Sequence, residues 1–441
     1  MWQNCTSMKI TSSPTQPTTL TCPACGLLCD DVLLTTASPV AVKVACAKSV
    51  TFFEQTYSAD NPSFGIPSVA GQTTDLNTAI KAATDILRKS NQPLFAGLGT
   101  EVQGMRSLMR LAEKTGATLD HMHSEGTVRN TLALQNSGWQ TTTLTEVKNR
   151  ADVILAIGTD IVSSHPRFFE KLVWNTESLF NKPVPEVIYL AAPLNASGEN
   201  TQAGISPAGT QPMVIPAATE QLPEIINALN ALANGKNLNI DNIAGVALSS
   251  LQTILEKLKA AQYAVVVWSA SNLKFAHAEL TVQSITQLIA KLNETNRVAG
   301  LPLNSGDGDT SVNNTSTWLS GYPTRNRFTN VKSGGKPEYD AYYFSTKQQL
   351  ENCDALLWVS TFNAHQPPPD TGAPTIVIGH PNMQFTRAPD VFIPVGIPAL
   401  DHTGTMFRLD SAVALPLKKL RDSNLPSLSQ VTQKILDILS C

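Results

Sequence analysis

Four cysteines lie close together near the start of the chain, in TCPACGLLCDDV (Thr21 to Val32) and VACAKS (Val44 to Ser49). Cys22, Cys25, Cys29 and Cys46 have the spacing C-x2-C-x3-C-x16-C and are four of the seven cysteines in 441 residues. Metal binding lowers a thiol pKa, and four thiolates can complete either a tetrahedral zinc site or a cubane iron–sulfur cluster. Structural zinc usually pairs two C-x2-C knuckles, and here one knuckle is followed by two single cysteines. An empty site of buried thiols is the third reading, because cysteine is among the most buried residue types.

Other residues have weaker chemical signals. His121 and His123 in HMH would share one face of a strand. No third ligand has recognisable spacing, so structural or hydrogen-bonding roles are expected of them. In SHPR (Ser164 to Arg167), His165 is expected to order a loop and Arg167 to pair with a carboxylate or a partner protein of the same assembly. GDGDTS at 306–311 lacks EF-hand spacing and a closing Glu, so it reads as a turn. GLG at 97–99 misses G-x-G-x-x-G and reads as a tight strand exit. Cys353 and Cys441 have no partner motif and read as a buried thiol and a tail thiol.

These residues must be positioned by a large soluble framework. A hydrophobic share of 42% with 15% charged residues can bury a large interior, and the length suggests two to three packed units. A net charge of −3 gives no nucleic-acid or membrane-surface signature, and the low charge also suits a permanent subunit. The N-terminus has no basic head followed by an apolar core, and no run approaches the ~20 apolar residues that span a bilayer. With clustered cysteines favouring metal over disulfides, a cytoplasmic location is expected.

Residues 1–20 read as loosely held, and DDVLLTTASPVAVKVAC as one or two short β segments around a turn. From Asn61 to Thr73 the sequence reads as loop. Apolar residues at 76, 80, 83, 86 and 87 predict an amphipathic helix, followed by the buried strand PLFAGLG. Further helices are predicted in EVQGMRSLMRLAEKTGATL (ending at Gly116), PRFFEKLVWNTESLF, TEQLPEIINALNALANG, SSLQTILEKLKAAQ and residues 277–293. Strands are predicted in ADVILAIGTD, EVIYLAAP, YAVVVWSAS, CDALLWVST, PTIVIGH and DVFIPVG. Apolar strands alternating with helices imply an α/β protein with parallel sheets flanked by helices. Between Leu301 and Tyr342 the pattern breaks into a long Gly/Asn/Thr/Ser loop, a length that is usually functional or disordered.

The opening CPACGLLCDD resembles the start of the B subunit of formylmethanofuran dehydrogenases, and the quartet, with Lys48 after Cys46, resembles the [4Fe–4S] site of molybdenum and tungsten bis-pterin oxidoreductases. Three further blocks are similar to that family in order: ADVILAIGTDIVSSHPRFFEKLV, VNNTSTWLSGYPTRNRF and APDVFIPVGIPALDHTGTMFRLDSAV. The resemblance spans roughly residues 20 to 415. It implies a multi-domain bis-pterin (molybdopterin) oxidoreductase-like fold, with a small N-terminal cysteine-bearing domain and no C-terminal pterin-binding barrel. The expected division is 1–60 for the cysteine segment, 61–120 plus 260–400 for a discontinuous α/β domain, 121–259 for an inserted α/β domain, and 401–441 for a closing segment returning to the N-terminal domain. Cluster ligands would be Cys22, Cys25, Cys29 and Cys46, and pterin-cavity positions Lys48, Gly158, Asp160, Asn313 and Asp401.

Family members carry tungsten or molybdenum on a bis-pterin and reduce CO2 to formate, with a Cys or Sec as metal ligand. The corresponding stretch here, LDHMHSEGTVRNTLALQNSG, has no cysteine, and the ligand position falls on Ser124 or Glu125. A hard oxygen donor gives far less charge to a high-valent metal than thiolate. The family's W-G-x-N-P turn reads IGTDI at 157–161, placing Asp160 where an amide would meet a pyrophosphate. Both departures match the methylotrophic-bacterial branch, the formyltransferase/hydrolase complex. The resemblance then implies a B-type subunit that scaffolds tetrahydromethanopterin-linked oxidation of formaldehyde to formate, without catalytic activity of its own or a metal-pterin. Its partners would be the amidohydrolase-like A, the C and the formyltransferase D subunits, with no nucleic acid and no membrane. The alternative is a redox-active tungsten or molybdenum formylmethanofuran dehydrogenase subunit.

Overall fold

The computed structural model describes residues 18–35, 41–54, 65–193, 202–329 and 335–441. Two sheets organise them. The larger has nine strands, and at its centre Thr118–Leu119, Pro93–Gly99, Ala355–Ser360, Thr375–Gly379 and Val391–Pro394 run parallel. Hairpin strands pair antiparallel at both edges. The smaller sheet is parallel throughout, in the order Met213–Ile215, Glu186–Leu190, Val153–Ile157, Ala264–Trp268, Val298–Pro302.

Strand Ala264–Trp268 explains why such segments read as continuous apolar runs. Ala264, Val266 and Trp268 enter a core under the helices Leu222–Ala233, Leu248–Ala260 and Ala278–Leu292, while Val265 and Val267 face the opposite core. That opposite core is shared with the cysteine segment through Leu20, Cys22, Cys29, Val32 and Phe53. Alternation along a strand buried on both faces puts an apolar side chain at every position. The first helix of the larger unit is capped by a carboxylate: Asp75 accepts from the amides of Asn77 and Thr78 at 2.9 and 3.1 Å. Gly116 ends the helix Val102–Thr115 in the left-handed conformation.

Several expectations need correction. Strands Ala264–Trp268 and Val298–Pro302 belong to the smaller sheet, so the inserted unit runs from the Ser124 helix to the end of strand Val298–Pro302 and not over 121–259. The boundary was hidden because buried parallel strands of both units look alike in sequence. The stretch 301–342 contains the helix Asp309–Ser320 and the hairpin Asn326–Thr329/Lys336–Tyr339. The inward face of that helix carries Asp309, Ser311, Thr315 and Ser316, so it shows little apolar periodicity. PRFFEKLVWNTESLF yields one wide helical turn, Phe169–Val173, closed by the Trp174 amide on the Phe169 carbonyl at 2.8 Å.

The closing segment divides. Its hairpin Gly404–Phe407/Ala414–Leu417 packs near the cysteine segment, where the Leu409 amide donates to the Gly26 carbonyl at 2.9 Å. The helix Leu428–Ser440 instead packs on the larger unit, through Leu428, Val431 and Ile435. In the N-terminal segment, Thr18–Leu20, Val32–Thr35 and Ala41–Lys43 form a small antiparallel sheet. Residues 1–17, expected to be loose, lie outside the described residues, as do the turn at 36–40 and the NPSF part of the 61–73 loop; residues 68–69 and 72–73 of that loop pair as a hairpin. No helix among the described residues is long and apolar enough to cross a membrane.

Candidate functional site

The loop carrying the first three cysteines folds back on itself, the Cys22 amide donating to the Cys29 carbonyl at 2.9 Å. Cys46 joins from the start of the helix Ala47–Glu54, and the Ser49 hydroxyl lies 3.4 Å from the sulfurs of both Cys22 and Cys46. Burial pushes the Cys22 and Cys29 thiols up to about 12 and raises Cys25 as well, so these are neutral thiols near pH 7. Lys48, Arg167 and Lys171 oppose that shift with positive charge. Among the described residues, no group of three or more His, Cys, Asp or Glu side chains is spaced to hold a metal ion, which gives the single-zinc reading no support. That holds for the sequence-predicted quartet too: its four sulfurs are free thiols of one folded segment, of which Cys22 and Cys46 share the Ser49 hydroxyl.

Two basic residues tie this segment to the inserted unit. Arg167, almost fully buried, makes a two-pronged contact with Asp31 at 2.8 and 2.9 Å and a second with Glu170 at 3.0 and 2.6 Å. Burial alone would raise the Asp31 pKa, but Arg167 and Lys171 hold it below the usual carboxylate range. The adjacent pair in CDD is therefore an anchor for the SHPR loop. Lys48 donates to the Ser164 carbonyl at 2.9 Å, so it staples the same two elements.

The position resembling a metal ligand is occupied by a different interaction. Ser124 begins the helix Ser124–Ser137, and its hydroxyl accepts from Arg325 Nε at 3.2 Å and Nη2 at 3.1 Å. Arg325 Nη2 also reaches Glu125 Oε1 at 2.8 Å, Nη1 reaches the Ala341 carbonyl at 2.5 Å, and Nε lies 3.4 Å from Asp120 Oδ1. Arg325 and Asp120 are 3% and 2% exposed, so this is a buried ion pair. Thr346 completes it, donating its amide and hydroxyl to Asp120 Oδ2 at 2.6 and 2.7 Å. A cation at a helix N-terminus opposes the helix dipole, and the two carboxylates offset that cost.

Sequence reasoning missed Arg325, although it sits inside the quoted block GYPTRNRF. Strand Asn326–Thr329 pairs with Thr118–Leu119, and the Arg325 amide donates to the Leu119 carbonyl at 2.8 Å. The signal was a buried-block arginine with a nearby Asp120, but their pairing is non-local and leaves no spacing to read.

The other anticipated positions scatter. Gly158 follows strand Val153–Ile157 and packs under Leu222 and Leu273, with no room left for a Cβ. Asp160 is half-buried and caps its own turn, accepting from the Ser163 amide at 3.1 Å. Asp401 accepts from the Ile397 amide at 2.8 Å and pairs with Arg421 at 2.5 Å, which makes it a structural corner. Only Asn313 of the five lines the cleft between the two units.

The histidines are not on a strand; they lie in the turn after Thr118–Leu119. His121 Nδ1 accepts from the His123 amide at 3.0 Å, leaving Nε2 to donate to the Asp307 carbonyl at 3.3 Å. His123 Nε2 meets Asp307 Oδ2 at 2.9 Å. GDGDTS is thus a turn only over 306–308; its last three residues open the helix Asp309–Ser320. Its Asp309 accepts from Asn304 Nδ2 at 2.8 Å, and Asn304 Oδ1 in turn meets His165 Nε2 at 2.8 Å.

Burial lowers His165 and His380 to about 4, well below the ordinary 6.5. A depressed folded-state pKa gives stability that is complete above 6.5 and is lost as the pH falls from there toward 4. The unfolding free energy measured with urea is expected to drop between pH 6.5 and 5 with a slope of up to about 1.4 kcal/mol per pH unit for each histidine. His380→Asn should remove that residue's own share of the slope; an unchanged slope would contradict the assignment.

No family model matches the chain. It is 25% identical over 425 residues to the B subunit of the tungsten-containing formylmethanofuran dehydrogenase 2 of Methanocaldococcus jannaschii, covering 91% of this chain and 93% of that protein. It is 28% identical over 348 residues to the Fhc B subunit of the formyltransferase/hydrolase complex of Methylorubrum extorquens, covering 77% of this chain and 87% of that protein. A chain in the crystal structure of the formyltransferase/hydrolase complex FhcABCD from Methylorubrum extorquens, in complex with methylofuran, aligns with a TM-score of 0.70 at 25% identity. That alignment covers 85% of this chain and 98% of the other. The chain therefore resembles the B subunits of both complexes along most of its length, in a mixed α/β fold with open parallel sheets.

Proposed function

We propose that this chain is the B-type subunit of a formyltransferase/hydrolase complex in one-carbon metabolism. It keeps a bis-pterin oxidoreductase-like architecture as a scaffold and has lost the redox chemistry. Its partners are the other subunits of that complex. The likeness to the Fhc B subunit and to a chain of FhcABCD supports this reading.

The Arg325 network carries the non-redox part. A metal on Ser124 would displace two hydrogen bonds from a buried guanidinium and set one cation beside another. Asp160, committed to its own turn, offers no amide to a pyrophosphate, and Gly158 is closed over by leucines. These residues do not fit a metal-pterin. Protein purified with its native partners is expected to contain neither tungsten nor molybdenum by elemental analysis. Stoichiometric metal, together with reduction of a formyl carrier by an artificial donor, would overturn the reading in favour of the tungsten or molybdenum dehydrogenase.

The thiol quartet is a separate proposal. Cys22, Cys25, Cys29 and Cys46 supply the donors for a [4Fe–4S] cluster, and the basic residues around them suit its negative charge. Such a group would add electron-transfer capacity or a covalent brace. Anaerobic purification should give iron and labile sulfide in equal amounts, whereas a colourless, iron-free protein would leave four buried thiols and no cluster. Cys25→Ala is expected to loosen the described residues 21–54 while formyl transfer by the assembled complex continues. Transfer that stops with the complex intact would place the quartet in the chemistry.

A further inference from the structure

Between the two α/β units, next to the first turn of the Ser124 helix, lies a cleft of about 250 Å³. It opens at the carboxyl end of the parallel strand Val298–Pro302, the end of a sheet at which α/β proteins bind ligands. Its lining holds Thr127 and Asn130 from one helix, Asn313 from another, and Trp139, with Leu303 and Leu409 as apolar walls.

Charge is nearly absent from it. Asp309 is the one charged residue of the lining, and it is 3% exposed. Its Oδ1 accepts from Asn304 Nδ2 at 2.8 Å and the Thr310 amide at 2.6 Å, and its Oδ2 from the Ser305 amide at 2.7 Å. A phosphate or carboxylate would find no cation here, and a cation would find no uncommitted carboxylate.

Two side-chain amides are held in fixed orientations. Asn130 Oδ1 accepts the indole N–H of Trp268 at 2.9 Å, and Asn313 Oδ1 accepts the Thr324 amide at 3.2 Å. With each oxygen oriented by a fixed N–H, each Nδ2 is a donor left without a hydrogen bond among the described residues. Trp139 stands beside them, packed against Trp268 at a centroid distance of 5.9 Å. Oriented donors next to an aromatic surface suit a ligand with acceptor oxygens on a ring.

We infer that this cleft binds an uncharged ring compound bearing acceptor oxygens, its oxygens on Asn130 and Asn313 and its ring against Trp139. This goes beyond the scaffold reading and does not depend on it, because no step of the complex and no metal is invoked. A saccharide and a lactam heterocycle share that chemistry.

The test is saturation-transfer NMR on the full-length chain with methyl β-D-glucopyranoside and 1-methyluracil, each at about 10 mM, where millimolar affinity is visible. Inorganic pyrophosphate, followed by phosphorus line width, is the charged comparison. One neutral probe is expected to receive saturation, the glucoside pointing to a saccharide and the uracil to a heterocycle. In Asn313→Leu the affinity should fall about fivefold for one lost hydrogen bond, and Trp139→Ala should abolish the signal. Should Asn313→Leu fail to fold, Thr127→Val and Trp139→Phe supply the same comparison at the rim of the cleft. The inference is overturned if neither neutral probe receives saturation, if the signal is unchanged in the folded variants, or if pyrophosphate binds more tightly than both.

Discussion

Replacing Arg325 by methionine is expected to destabilise the chain by about 3–5 kcal/mol, the usual cost of removing one partner from a buried ion pair. Asp120 would remain 2% exposed without its cation, and the Ser124 hydroxyl and the Ala341 carbonyl would each lose a donor. Arg325→Lys should recover only part of the loss, because an ammonium cannot reach Ser124, Glu125 and Ala341 together as the planar guanidinium does. Urea unfolding of the single variants and of the Asp120→Asn/Arg325→Met pair measures the coupling. The double variant is expected to lie closer to the parent than the sum of the two losses, by more than about 1 kcal/mol. A loss under about 1 kcal/mol for Arg325→Met alone would mean that the guanidinium is peripheral, and the case against a metal at Ser124 would weaken with it.

Gly308→Ala is expected to cost roughly 3 kcal/mol, combining left-handed backbone strain with overpacking. Gly308 has φ +79°, and a Cβ there would stand 2.3 Å from the Thr100 carbonyl oxygen. That oxygen belongs to the backbone between strand Pro93–Gly99 and helix Val102–Thr115 and has little freedom to retreat. Gly306 and Asp307, at φ 107° and 50°, make this a run of three left-handed residues. Gly321→Ala, also left-handed but with nothing within 4 Å of its Cβ, is the control that isolates the backbone share. Equal losses at both positions would show that the contact with Thr100 is unimportant.

Much of the framework was legible because its physics is local. The periodic apolar face of Leu76–Lys89 and the apolar runs of the parallel strands are signals contained within a few residues. In the cysteine segment the short β segments were legible for the same reason, and Cys22 and Cys46 meet at the Ser49 hydroxyl. The helix Asp309–Ser320 was not, because apart from Val312 its inward face is built from Asp, Ser and Thr, with Asp309 and Ser311 held by backbone amides. Arg325 with Asp120 lay beyond reach for a different reason. The two are 205 positions apart, and only the pairing of Asn326–Arg327 with Thr118–Leu119 brings them together. Single residues carried over from the resemblance fared unevenly: Asn313 reached the cleft, whereas Asp160 and Asp401 were already committed to their own turns.

The backbone passes from the larger unit into the inserted one just after His123 and returns through Asp307, and these two passages lie side by side, joined by the contact between His123 and Asp307 at 2.9 Å. Entry and exit points that close together make the intervening stretch a cassette whose two ends a short peptide could join. Any tilting of the cassette against its host has to pivot near that doorway, and the cysteine segment, which shares a core with the cassette and touches Asn304 beside the exit, acts as a strap.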